Sequence, residues 1–145
     1  MPSPYLSNYG VVAFAGSSLT LTAAGYAGQT VVSTIAAAQT ITLPAATGSG
    51  NIYRVFFNVT ASGNKVIQVA SSSDIMQGAI GMSTDAAGVT IPTASTSDTI
   101  TLNGSTTGGV KGSHVELQDV ASGVWRVSGF LVSTGAEATP FSANV

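Results

Sequence analysis

The sequence contains no cysteine, which excludes disulfides, a thiol nucleophile and any Cys-ligated metal site. It has a single histidine, so a His-rich metal site is excluded too. Charge is equally scarce. Four Lys/Arg and six Asp/Glu make up 7% of 145 residues, against about 25% in an ordinary globular domain. A net charge of −2 gives no electrostatic hold on nucleic acid or on acidic lipid, so neither is expected as a partner. The chain lacks the roughly 18-residue apolar run of a spanning helix. Its start, MPSPYLSNYG, has no basic residue ahead of an apolar stretch and does not read as a signal peptide.

Ser, Thr, Gly and Ala stand where charged residues usually keep a small domain's surface wet. Such a surface is either covered in an assembly or left uncharged for another reason. The length suits one domain, long enough to bury roughly 68–70% of the surface its unfolded chain exposes. Period-two alternation runs through it. Residues 18–22 (SLTLT), 40–43 (TITL) and 99–102 (TITL) alternate Ser/Thr with Ile/Leu. Residues 53–60, 65–70, 88–91, 114–120 and 124–132 are rich in β-branched and aromatic side chains. Clusters of Gly, Ser, Asn and Ala punctuate them. The stretch 30–38 (TVVSTIAAA) is ambiguous, since its alanines permit a helical turn while Val31, Val32, Thr34 and Ile35 favour a strand. About nine or ten short strands with no convincing amphipathic helix predict an all-β, jelly-roll-like double-sheet sandwich.

The same strand and turn are written twice. Residues 40–50 read TITLPAATGSG and 99–109 read TITLNGSTTGG. Each is followed by a second strand (YRVFFNV or HVELQDV), a turn and a third strand (KVIQVA or VWRVSG). The pattern predicts an internal duplication of a three-strand unit, with Ile41, Leu43, Ile100 and Leu102 inward. Asn103-Gly104 is a pair suited to a tight turn with positive φ.

Candidate chemistry is thin. His114 and Glu116 share one face of a strand, opposite Val115 and Leu117. That arrangement reads as an outer polar face more readily than as an acid/base pair. Residues 108–112 (GGVKG) lack the full phosphate-loop pattern. Asp74, Asp85 and Asp98 sit singly on loops, with no calcium-binding ladder. Asn58 and Asn103 head Asn-x-Ser/Thr triplets, which a Ser/Thr-rich chain produces by chance. Trp125 and Phe130 would suit a sugar-stacking platform, although the alternation of Trp125 with Val127 also fits a core tryptophan. No active site emerges, so no catalytic activity, cofactor or metal is expected.

Four stretches carry a resemblance: 41–54 (ITLPAATGSGNIYR), 75–78 (IMQG), 98–127 (DTITLNGSTTGGVKGSHVELQDVASGVWRV) and 134–141 (TGAEATPF). Together they span less than half the chain. In these it resembles β-sandwich head decoration, or cement, proteins of tailed bacteriophages. The resemblance implies a structural virion protein on the outer capsid surface that bridges neighbouring major capsid proteins and forms a homo-oligomer, a dimer or trimer. The alternative is a receptor- or carbohydrate-binding module of a phage head or tail fibre. The expected organisation is an N-terminal arm over 1–17, a sandwich over 18–133 and a C-terminal tail over 134–145. Tyr5, Tyr9 and Phe141, aromatics outside the strand pattern, are the expected contacts to capsid or sister subunits.

Overall fold

A computed structural model of the chain describes residues 10–145. Among them are twelve strands and one helical turn: β1 (Val11–Phe14), β2 (Ser18–Thr20), α1 (Ala23–Tyr26), β3 (Thr30–Ser33), β4 (Gln39–Thr42), β5 (Ile52–Phe57), β6 (Lys65–Gln68), β7 (Ile75–Ser83), β8 (Gly88–Pro92), β9 (Thr99–Leu102), β10 (His114–Ala121), β11 (Val124–Val132) and β12 (Phe141–Ser142). They form a seven-stranded sheet, ordered β1-β3-β5-β10-β11-β7-β8, and a five-stranded sheet, ordered β12-β9-β6-β4-β2. The protein is an all-β double-sheet sandwich.

The connectivity of the first half departs from a jelly roll. The chain alternates between the sheets, so that β1, β3 and β5 stack in parallel in one, and β2, β4 and β6 stack in parallel in the other. Parallel neighbours need a crossover of a dozen or more residues. Here each crossover carries a strand of the opposite sheet, so one winding builds both layers. A jelly roll instead folds from antiparallel keys. Antiparallel pairing takes over later, where β9 pairs with β6 and β10 inserts between β5 and β11.

Alternation decides what faces inward. In the five-stranded sheet one row runs Leu19–Ile41–Ile67–Ile100–Phe141 across all five strands. Opposite it lie the rows Val31–Val55–Val115 and Tyr53–Leu117–Val127. Leu43 and Leu102 are fully buried beside them. Trp125 meets Tyr53 edge-on, with ring centroids 5.6 Å apart. Asn103-Gly104 makes its turn with Gly104 at φ +80°, and a Cβ there would lie 2.0 Å from the Ala61 carbonyl oxygen.

The duplication holds for two strands of each unit and stops at the third. In both copies the TITL strand lies in the five-stranded sheet and the following strand crosses to the seven-stranded one. The turns pack reciprocally. Thr47 bridges to Ser122, beyond the second copy's β10, while Gly109 accepts a hydrogen bond from Ala61, beyond the first copy's β5. The third strands then part, β6 returning to the five-stranded sheet and β11 staying beside β10. Loop length explains this. Residues 58–64 can cross the ~10 Å between sheets, whereas the two-residue connection Ser122-Gly123 can only turn back as a hairpin.

Three strands lie outside the expected set. β1 falls in the expected arm and β12 in the expected strand-free tail, and both are edge strands of the sandwich. The nine-residue β7 contains Gly78 and Gly81, which mask its strand character. Leu43→Ala and Leu102→Ala should each lower stability by about 2–5 kcal/mol, read as a shifted urea midpoint. A change near zero for either would mean that its side chain is not in the core.

Candidate functional site

Four of the ten charged side chains are buried: Asp74, Asp98, Asp119 and Lys65. Burying a charge is costly unless hydrogen bonds replace its water, and each of these is so held. The Asp119 carboxylate lies at the inward phase of β10, beyond Val115 and Leu117. It accepts the N–H groups of Thr47, Gly48 and Ser49 at 2.7–3.1 Å and the hydroxyls of Thr47 and Ser49 at 3.2 and 2.7 Å. Burial alone would push its pKa up. The Ser49 hydroxyl and the three loop amides outweigh burial and bring the pKa from 3.8 down to about 2. Asp98 accepts from the Thr99 hydroxyl at 2.7 Å and from the Asn144 N–H at 2.8 Å, tying down the C-terminal segment. Asp74 accepts the Ala46 N–H at 3.0 Å.

Lys65 is the cationic counterpart. Its Nζ donates to the carbonyls of Ile35 and Ala37 and, at 2.9 Å, to Gln39 Oε1. Gln39 Nε2 in turn donates to the carbonyls of Phe14 and Gly16. Burial pushes the Lys65 pKa down. These groups pin loops and leave no free acid or base.

The outer face of the seven-stranded sheet is different. Register places Val32, Phe56, His114 and Phe130 in one row across β3, β5, β10 and β11. Phe130 is 45% exposed and lies over Gly81, where a Cβ would come within 2.8 Å of its ring. Val11, 74% exposed, lies nearby on β1 and lines a groove with Thr30, Val32, Arg54, Phe56 and His114. Beside the row, Glu116 pairs with Arg54 Nε at 3.1 Å and Arg126 Nη2 at 3.5 Å.

The expected site residues separate. Tyr5 and Tyr9 lie outside the described residues. Phe141 pairs with Ile100 and is 8% exposed, the end member of the core row rather than a free anchor. His114 and Glu116 share the outer face as expected, with Glu116 engaged by the two arginines. Trp125 is 0% exposed, so the sugar platform loses its larger ring. Residues 108–112 form turns that open no helix, and Asp85 lies in the exposed turn between β7 and β8. No three or more His, Asp or Glu gather as a metal site among the described residues. The aromatic row and the buried charges were not anticipated. For Asp119 and Lys65 the signal was present, since each occupies the inward phase of its strand.

Compared with known proteins, the chain matches no family model, no curated protein and no solved structure.

Because the folded pKa of Asp119 lies below its unfolded value, its stabilisation is present above about pH 4 and is lost as pH falls towards 2. The shift corresponds to about 2 kcal/mol. Asp119→Asn should therefore destabilise the protein at pH 7 and narrow its gap to wild type at pH 2, both read from urea midpoints. A gap independent of pH would show that the carboxylate is not held as described.

Proposed function

We propose that this chain is a structural virion protein that decorates and cements the outer surface of a bacteriophage head, bridging neighbouring major capsid proteins as a homo-oligomer, a dimer or trimer. The carrying observation is the surface. Of the ten charges, only Arg54, Lys111, Arg126, Asp85, Glu116 and Glu137 lie outside the buried set, and these six cancel. The net −2 therefore lies inside, on groups that hold loops. A neutral surface carrying a row of half-buried Phe56 and exposed His114 and Phe130 suits a protein committed to neighbours through apolar contact. The resemblance to decoration proteins points the same way. The alternative, a carbohydrate-binding fibre module, has less support because its tryptophan is buried.

Copy number separates these readings. In purified particles a decoration protein should be present at the same order of copies as the major capsid protein, measured by quantitative mass spectrometry. A count far below that points to a fibre, and absence from particles overturns the proposal.

A further inference from the structure

We propose that the outer face of the seven-stranded sheet is a two-fold interface between two copies of this chain, with the axis running along the strands between β5 and β10. This rests on the homo-oligomer of the reading above and names where its copies meet.

The groove on this face holds one cation and one anion, Arg54 and Glu116, side by side in register on β5 and β10. With no net charge it favours no strongly charged partner. What it offers is an order, positive on one strand and negative on the next. A two-fold axis along the strands between them lays each copy's Arg54 against the partner's Glu116, twice per interface. An axis along β5 would set Arg54 on itself, and one along β10 would do the same to Glu116. An axis one strand gap to either side leaves both without an opposite charge. Arg54 has a donor to spare. Its Nε holds Glu116 and its Nη1 the Gly28 carbonyl, and among the described residues Nη2 has no partner.

The rest of the face matches under the same axis. One outward row crosses six strands, Ala13–Val32–Phe56–His114–Phe130–Gly81. The two-fold lays Phe56 over the partner's His114, the exposed Phe130 over the partner's half-buried Val32, and Ala13 over the partner's Gly81. Bulky groups meet at the centre, small ones at the flanks, and no formal charge of the ion pairs falls in the row. Arg126 stands two rows away and 54% exposed, in the polar rim. Strands of the two copies then lie within about 30° of one another, the aligned packing of sheets face to face.

The test is self-association of the full chain, measured by analytical ultracentrifugation, with Arg54→Glu and Glu116→Arg as separate charge reversals. Circular dichroism checks that each variant is folded. Wild type should dimerise as concentration rises. Either reversal alone sets like charges opposite one another at two symmetry-related contacts, and should weaken the dimer about a hundredfold, tenfold for each. Mixed in equal amounts, the two variants should form a heterodimer close to wild type in affinity, because each reversed face then meets its opposite. Phe130→Ser, at an exposed position that leaves both charges in place, should weaken the wild-type dimer about tenfold.

A chain that stays monomeric to about 1 mM overturns the proposal, and so does a trimer, which contains no two-fold axis. A dimer indifferent to Phe130→Ser overturns it, as do folded reversals that pair no better mixed than alone. Dimerisation that appears only after residues 1–9 are removed would assign the face to the chain's own N-terminal segment and overturn it as well. A dimer in solution with no copies in particles would leave the interface standing and remove the virion role. A monomeric chain abundant in particles would do the reverse, so the two fail separately.

Discussion

The Asp119 carboxylate is the tie on which the packing of the two halves depends. It sits at the end of a second-unit strand and gathers the backbone of residues 47–49, the turn of the first unit, through amides and hydroxyls. An unpaired carboxylate at that depth would be costly, so the loop must close over it in one conformation. The hairpin after β10, bridged to Thr47, is fixed by the same contact. Asp98 acts likewise on the C-terminal residues, and Lys65 with Gln39 on the crossover between β3 and β4. Buried charges thus do here what disulfides do in chains that have cysteine, which is to hold connections against the sandwich.

That use of charge shapes the exterior. With the excess negative charge inside, solvent meets hydroxyls, small side chains and three ion-forming residues of each sign. Long-range steering of partners is weak for such a surface, and recognition falls to shape and apolar contact. The row from Val32 to Phe130 supplies both, with Arg54 and Arg126 at its side. One such contact gains little, and in the proposed role a symmetric shell would repeat it many times.

Much of the fold was legible because alternation is a local property. His114 and Glu116 out with Val115 and Leu117 in, or Ile41 and Ile100 in with Thr42 and Thr101 on the other face, follow from the pleat alone. The duplicated TITL strands were visible for the same reason, as was the Gly104 turn. What failed was everything decided by connection. Nothing in a single strand says whether its neighbour runs parallel, so the winding of β1 to β6 was missed, although seven residues after β5 against two after β10 held part of the answer. Strands β1 and β12 owe their place to tertiary pairing at sheet edges, and β7 is disguised by two glycines, Gly81 beneath Phe130 and Gly78 against the Val127 backbone. Phe141 looks like an anchor from sequence because its two-residue strand is too short to show a period, whereas in the fold it closes the core row. Asp119, Lys65 and Gln39 could have been found, since a polar side chain on the inward phase of a strand demands partners.

The proposed virion role is tested most directly by a density map of purified heads, at a resolution that separates strands. The expected result is this sandwich on the outer capsid surface, with the Val32–Phe56–His114–Phe130 row covered by a neighbouring subunit. A head in which the chain is present with that row open to solvent, its contacts made elsewhere, would contradict the assignment of the face. A head without the chain would contradict the role itself.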